Sequence, residues 1–217
     1  MAFQVFDFHH DIRNVVITPE IRARFLRMEP GHVANRHTHD LGQEIFLVLQ
    51  GQAEFEIEGH REVLGPGQLC FAARDEFHQV RCVGDEPMIM YLSVTPHIEP
   101  THTQWDERGD KLPPRYGLAT RNERQQHDPS AGRSTEELAA AHLAAAQELG
   151  RVAAENATAQ QMGVERLGEA LSAGDQTAAK AAVDDMWSQM YRTFNALREL
   201  STVWNELTPR VGPAPQD

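Results

Sequence analysis

The chain has 217 residues, of which 41% are hydrophobic and 24% are charged, and this composition is typical of a globular protein rather than a disordered one. Its length suits one full domain and one smaller companion. The formal net charge of -12 opposes binding to nucleic acid or to anionic membranes, because affinity for polyphosphates comes largely from Lys and Arg.

Several sequence features indicate a cytoplasmic location. No apolar run approaches the ~20 residues that a membrane span needs, and the first residues are acidic and His-containing where a signal peptide is basic and then apolar. Cys70 and Cys82 are too few for a disulfide framework, and a reducing compartment keeps them as thiols. If the chain between them turns near Glu76, the two thiols would lie roughly opposite each other on neighbouring strands. We expect small buried side chains here, not metal ligands.

Short strands separated by Gly and Pro turns are predicted between residues 12 and 94. Residues of alternating polarity occupy six segments, 21–28, 44–49, 53–57, 69–72, 78–82 and 88–94. Many short strands at such spacing predict a sandwich or a barrel.

The segment from 95 to 133 has a different character. It contains several prolines and mixed charges and has no sustained period. It is long for an unstructured loop, which favours partial packing against the barrel.

A helical hairpin is predicted from Ser134 onward. Ser134 and Glu137 fit a capping box, Gly174 fits a helix end, and Asp175 fits the N-cap of a second helix at about 176–207, which Pro209 is expected to end. Three glycines, at 150, 163 and 168, are candidates for bends in the first helix. The second helix carries apolar residues at spacings of three, four and seven: Val183, Met186, Trp187, Met190, Phe194, Leu197 and Trp204.

The chain therefore divides into a β-barrel with an N-terminal arm at 1–103, an irregular linker at 104–133, a helical hairpin at 134–208 and a disordered tail at 209–217. A helix of about 32 residues is roughly 48 Å long, and its apolar side runs almost that whole length. Such a surface is rare on a monomer, so we expect a homodimer formed through the C-terminal helices. The alternative is that the first helix and the 95–133 segment cover the apolar side within one chain.

Two sequence patterns with specific spacing lie in the β-rich part. Gly31, His37, His39, Glu44 and Gly51 resemble the first cupin motif at every anchored position. The second motif follows, from Gly67 to His78, although Ala73, Asp75 and Cys82 replace its usual proline, glycine and asparagine. The resemblance covers about residues 22–94 and implies a single cupin barrel, a double-stranded β-helix or jelly roll, so the fold class is mainly β with a C-terminal helical hairpin. It also implies His37, His39, Glu44 and His78 as ligands of one metal ion.

The spacing of these residues is consistent with a metal site. On a strand, residues two apart face the same side, so His37 and His39 would both point into the barrel while Glu44 enters from the next strand. Three imidazoles and one carboxylate suit one divalent transition metal: Fe, Mn, Ni, Co or Zn. A six-coordinate ion would keep two positions open for water, oxygen or substrate.

The resemblance implies a metal-dependent enzyme, similar to cupin dioxygenases, acting on a small-molecule substrate that is largely apolar or aromatic. Glu44 would serve as ligand or, if it swings free, as a base. Two alternatives stay open, because the fold does not select the chemistry. One is a non-catalytic ligand- or metal-sensing cupin whose helices bind a protein, and the other is a cupin isomerase or epimerase.

An apolar substrate is suggested by the residues predicted to share the ligands' side of each strand. Phe46 and Val48 are predicted to lie on the same side of their strand as Glu44, and Val80 on the same side as His78. The alternative is that these apolar residues are simply the core of the barrel. We expect solvated strand faces for four arginines, with anchoring of an anionic substrate as the alternative: Arg22, Arg24, Arg74 and Arg81. His97 and His102 lie outside both motifs, and we expect them to be exposed or hydrogen-bonded, the alternative being a role at the mouth of the barrel. The predicted pocket wall is Phe46, Val48, Leu69, Phe71, Val80, Met88 and Met90.

Overall fold

A computed structural model describes residues 3–211. Within this range the strands are β1 (Asn14–Ile17), β2 (Arg22–Met28), β3 (Gln43–Gln50), β4 (Gln52–Ile57), β5 (His60–Leu64), β6 (Leu69–Ala72), β7 (His78–Val83) and β8 (Met88–Thr95). The helices are α1 (Arg121–Gln126), α2 (Thr135–Ser172) and α3 (Gln176–Val211). None of these helices is both long and apolar enough to cross a membrane.

The described chain forms two compact units. The first contains the residues up to Ala131 together with those from Thr208 onward, and the second is Gly132–Leu207. The first unit holds all eight strands found between residues 3 and 211, and the second holds α2 and most of α3.

The strands form two antiparallel sheets, as the predicted barrel requires. One sheet has the order β1-β2-β8-β3-β6 and the other β5-β4-β7. The six strands expected from alternation are all present, with ends shifted by at most one residue. Two strands were not anticipated, β1 and β5. Both lie at sheet edges, where one side of the strand has no partner strand and the alternating pattern weakens.

The hydrophobic core lies between the two sheets. Residues of β3 alternate between inward and outward positions, so that Phe46 and Val48 are buried on the same side as Glu44. Methionines of β8 meet them from the neighbouring strand: Met90 is paired with Val48. These inward residues are excluded from water without any help from a metal ion.

The position expected for the two cysteines is wrong. Cys70 lies on β6 and Cys82 on β7, and these strands belong to different sheets because the chain crosses from one sheet to the other between them. Both residues are free cysteines, Cys82 buried and Cys70 partly buried. Burial raises the pKa of the Cys70 thiol to about 12.

The irregular segment after β8 packs against the first unit. Thr101 and Thr103 are buried, and Thr103 forms an antiparallel bridge with Thr38 through two backbone hydrogen bonds of 2.9 and 3.2 Å. The indole Nε1 of Trp105 donates to Thr38 Oγ1 at 3.1 Å. The segment also contains α1, a helix of six residues that periodicity cannot reveal at this length.

The second unit has the predicted caps. Ser134 and Glu137 form a reciprocal capping box, Gly174 adopts a φ of +70°, and Asp175 accepts from the backbone N–H groups of Thr177 and Ala178. Among the glycines proposed as bends, Gly163 has a packing role: a Cβ there would lie 2.3 Å from Met186 Cγ. Its small size lets α2 and α3 approach each other.

The predicted end of the second helix is wrong. Proline removes one backbone donor, yet α3 continues through Pro209 to Val211. Arg210 holds this last turn by donating to the carbonyl and hydroxyl oxygens of Ser130 at 3.0 and 2.9 Å and by pairing with Asp128 at 3.0 Å. The rest of the predicted disordered tail, residues 212–217, lies outside the described residues.

Candidate metal centre

The site is built from three parts of the first unit. His37 and His39 come from an extended segment before β3 that forms isolated bridges rather than a full strand, Glu44 comes from β3, and His78 begins β7. A backbone bridge between His37 and His78, with hydrogen bonds of 3.0 and 3.1 Å in the two directions, fixes these imidazoles side by side. Glu44 reaches them from the other sheet.

The four predicted ligands meet at one point. One atom from each of them lies within 4.8 Å of all the others. Glu44 Oε2 is 2.9 Å from His39 Nε2, 3.1 Å from His78 Nε2 and 3.8 Å from His37 Nε2. The two nitrogens His37 Nε2 and His78 Nε2 are 3.2 Å apart. Only His37 has appreciable contact with solvent, its side chain being 14% exposed.

Backbone carbonyls orient all three imidazoles. The Nδ1 of His37 lies 2.9 Å from the Asn35 carbonyl oxygen, that of His78 2.9 Å from the Glu76 carbonyl oxygen, and that of His39 hydrogen-bonds the Thr101 carbonyl. A carbonyl oxygen can only accept, so each Nδ1 carries the proton and donates. A neutral ring held in this way presents its Nε2 lone pair to the centre of the site.

The charge states of the site suit a cation. Burial opposes ionisation of Glu44, but its contacts with His37, His39 and His78 hold the pKa of that carboxyl well below its usual range. Burial lowers the pKa of His37, which favours the neutral imidazole. At neutral pH, Glu44 is therefore a carboxylate beside a neutral His37.

This donor set fits a metal ion. Three nitrogen lone pairs and one carboxylate oxygen converge in a buried space, and all four are acceptors that repel one another unless a cation or a proton lies between them. Imidazole and carboxylate ligands together suit a divalent transition metal. The cluster could bind one such ion, with Asn35, Glu76 and Thr101 supplying the carbonyls that orient its ligands.

Five of the seven predicted wall residues lie inside the barrel. Among them, Phe46 lies beside a predicted metal ligand, with its ring centroid 5.8 Å from that of His78. All five belong to the buried core cluster: Phe46, Val48, Val80, Met88 and Met90.

The expectation for the other two, Leu69 and Phe71, is wrong. They are 56% and 58% exposed, on the outer side of β6. Directly opposite residues in an antiparallel pair share a face, and the inward-facing Glu44 pairs with Ala72. Ala72 therefore faces inward, and Leu69 and Phe71 cannot line a pocket within this barrel.

Two histidines that the motifs do not contain lie near the site. The ring centroid of His102 is 4.7 Å from that of His37 and 5.0 Å from that of His39. Burial is the main cause that holds the pKa of His102 well below its usual range, and electrostatic repulsion from His37 and His39 adds to it. The ring of His102 also lines a cleft of about 340 Å³ together with Asp40 and Lys111.

His97 is also buried, and its Nδ1 lies 3.0 Å from Thr101 Oγ1. Burial lowers its pKa to about 3, with a further contribution from Arg22. No sequence pattern distinguished these two histidines from the surface ones, because the segment that carries them has no period.

The four arginines divide into two groups. Arg74 and Arg81 are exposed, as expected. The expectation is wrong for Arg22, which is 1% exposed, and for Arg24, which is partly buried. Both lie on the side of β2 that carries the core residues Leu26 and Met28, so the interior of the barrel is not wholly apolar.

Comparison with known proteins identifies this architecture. Residues 24–95 match the cupin domain family. These residues are a cupin domain. The cupin domain contains all four clustered side chains: His37 and His39 in the segment before β3, Glu44 in β3 and His78 in β7.

Several solved structures resemble part of the chain. A conserved protein with a double-stranded β-helix domain from Klebsiella pneumoniae is 24% identical, with a TM-score of 0.42, over 44% of this chain and 91% of that one. KdgF from Halomonas sp. is 26% identical, with a TM-score of 0.38, over 39% and 78%. The DMSP lyase DddQ from Ruegeria pomeroyi is 29% identical, with a TM-score of 0.36, over 39% and 43%. No curated protein matches the chain.

Proposed function

We propose that the chain is a metal-dependent enzyme that binds one divalent transition metal on His37, His39, Glu44 and His78 and converts a small organic molecule. The observation that carries the proposal is the convergence of three carbonyl-oriented imidazoles and one ionised carboxylate in a buried site. The metal would act as a Lewis acid or bind oxygen. The protein would orient the ligands and exclude water, with His37 on the only side of the cluster that solvent reaches appreciably.

The reaction class we favour is dioxygenase-like oxidation. The apolar core around Phe46 and Met90 suits the carbon skeleton of a substrate, and it protects reactive species from water. An isomerase or epimerase that acts on a polar substrate needs polar side chains that point into the barrel. Arg22 and Arg24 are two such side chains, and they favour this alternative. A cytoplasmic location is part of the proposal and rests on the sequence features described above.

Metal analysis combined with oxygen consumption tests this function. The full chain is purified, its metal content is measured by mass spectrometry, and oxygen uptake is followed with catechols, thiols and diketones. We expect about one equivalent of a redox-active metal and uptake with at least one substrate class, both lost in Glu44→Ala. Stoichiometric zinc without turnover on any of these substrates would contradict the oxidative enzyme and support the sensing alternative.

The second unit supports the sensing alternative and an assembly proposal. Helix α3 has 36 residues, about 54 Å at 1.5 Å per residue, and its apolar positions 183, 187, 190, 194 and 197 follow the alternating spacing of four and three that coiled coils use. Each of these side chains is at least 36% exposed in the single chain. We propose that a second copy of the chain covers them, giving a homodimer built on the helices.

A further inference from the structure

Arg22 lies at the same level of the barrel as the metal ligand Glu44. In the five-stranded sheet, Val94 of β8 is opposite Arg22 of β2 on one side and opposite Glu44 of β3 on the other. Residues opposite each other in antiparallel strands share a face, so these three side chains form one inward-facing row. Two strand spacings separate the outer members by about 10 Å, a gap that the long arginine and glutamate side chains can largely span.

The guanidinium of Arg22 is buried without full hydrogen bonding. Its side chain is among the most buried in the described residues, and its Nη1 donates one long hydrogen bond, to Asn14 Oδ1 at 3.4 Å. No atom of residues 3–211 accepts a hydrogen bond from the Nε of Arg22 or of Arg24. A buried guanidinium donor costs free energy unless an acceptor is supplied, and a ligand can supply it.

Two nearby carboxylates, Glu123 and Glu99, accept hydrogen bonds from backbone N–H groups. Glu123 accepts from the backbone N–H of Asn14 and from its Nδ2, both at 2.9 Å. Glu99 is held by the backbone N–H groups of Gly117 and Thr101. These groups balance part of the arginine charge from a distance without filling the open Nε positions.

The charge balance around the two buried arginines favours an anion once metal is present. A divalent ion with Arg22 and Arg24 brings four positive charges, while the carboxylates that interact with these arginines, Glu44, Glu99 and Glu123, bring three negative ones. One positive charge is left over. Burial raises the pKa of Glu99, and protonation of that carboxyl would enlarge the excess.

We propose that Arg22, assisted by Arg24, binds a carboxylate group of the substrate inside the barrel while the remainder of the molecule extends towards the metal centre. This inference rests on the proposed function and defines its substrate class as small carboxylic acids with an apolar body. The Nε and one Nη of a guanidinium can hold the two oxygens of a carboxylate side by side. With Glu99 ionised, a carboxylate matches the single excess charge, whereas a phosphate dianion exceeds it.

Binding of benzoate tests the proposal, with benzamide as the uncharged probe of nearly the same shape. Affinities are measured by calorimetry on the full chain, as purified and after removal of metal with a chelator. The variants are Arg22→Met, Arg22→Lys and, as a matched control on the exposed side of β7, Arg81→Met. Circular dichroism melting and metal content report whether each variant is folded.

We expect benzoate to bind the wild type and Arg81→Met equally, and benzamide to bind about tenfold more weakly or worse. Arg22→Met should weaken benzoate binding by about tenfold or more in both metal states, because charge-assisted hydrogen bonds are lost. Arg22→Lys should fall between them, since it keeps the charge but not the paired donors; if Arg22→Met does not fold, Arg22→Lys decides.

Three results would overturn the carboxylate site: no benzoate binding to wild type at millimolar concentration, equal binding by the wild type and the folded Arg22 variant, or binding that depends only on the metal. Tighter binding of inorganic phosphate than of benzoate at Arg22 would reassign the ligand and so would also contradict it. The test needs no turnover. A chain that binds benzoate through Arg22 but consumes no oxygen would retain this site while the oxidative function failed.

Discussion

Arg22 and Glu44 flank Val94 on the same inward face of the five-stranded sheet, so a buried cation and a buried anion share one level of the cupin barrel. Glu44 is surrounded by three histidines that prepare it for a metal, whereas Arg22 keeps an open donor at Nε. The interior thus offers two chemically different contacts, one for a metal and one for an anionic group.

The first prediction is that His37→Ala and His78→Ala remove most of the bound metal while the barrel stays folded. Each variant deletes one lone pair from the cluster, whereas the core is made of apolar residues such as Phe46 and Val48 that the substitution does not touch. Mass spectrometry measures metal per chain, and His60→Ala, an exposed histidine on β5, is the control. Retention of a full equivalent by both site variants would refute the ligand assignment.

The second prediction concerns pH and His97. The unfolded chain takes up a proton at this residue near pH 6.5, but the folded chain does so only near pH 3. Between these values the unfolded state binds more protons, so the free energy of unfolding should fall as pH is lowered from about 6.5 towards 3. In His97→Gln this fall should be shallower, and in the exposed-residue variant His60→Gln it should be unchanged. Urea titrations of the metal-free protein at several pH values measure it; identical slopes in wild type and His97→Gln would contradict the assignment.

The third prediction is that the two cysteines are protected thiols. Cys82 is 1% exposed, so a reagent has little access to it, and burial raises the pKa of the Cys70 thiol to about 12, so little reactive thiolate exists at Cys70 in the folded protein. Iodoacetamide at pH 8 should label both slowly in the native chain and both quickly after denaturation without reductant. Mass spectrometry counts the labels. Fewer than two labels on the denatured, unreduced protein would mean that a thiol is oxidised or modified.

The fourth prediction is that Phe194→Glu converts the proposed homodimer to a monomer. Phe194 lies in the exposed apolar row of α3, and a carboxylate there would have to be buried without a partner when two copies pair. The neighbouring exposed residue supplies the control, since Asn195→Glu adds the same charge beside the row. Light scattering on the full chains reports the mass. A monomeric wild type would end the proposal, and a dimeric Phe194→Glu would place the interface elsewhere.

The fifth prediction is that Gly→Ala substitutions at two positions of α2 change the free energy of unfolding by different amounts. A Cβ at Gly150 meets no atom within 4 Å, so Gly150→Ala should raise the free energy of unfolding by about 1 kcal/mol through helix propensity. Gly163→Ala should gain less or destabilise, because its Cβ would lie 2.3 Å from Met186 Cγ and the methionine must move. Chemical denaturation measures the free energy of unfolding of both variants. An equal gain at the two positions would contradict the prediction, because it would mean that the Met186 side chain moves aside without loss of stability.

The amino-acid sequence by itself determined the strands with clear alternation and the helix caps, and its resemblance to the two cupin motifs gave the four clustered side chains. The strands and caps depend on spacing over a short stretch: two residues on an extended segment share a side, and a cap bonds to backbone three residues away. The tertiary structure alone decided the rest. Strand β2 has apolar residues on both of its sides, Phe25 on one and Leu26 on the other, so its sequence does not say which side faces inward; pairing with β8 directs Arg22 and Arg24 into the barrel. Likewise, Leu69 and Phe71 are turned outward by their register with β3, and His102 reaches His37 only because an aperiodic segment returns across the site. Such contacts join residues far apart in the chain, and the local pattern around each residue carries no record of its distant partner.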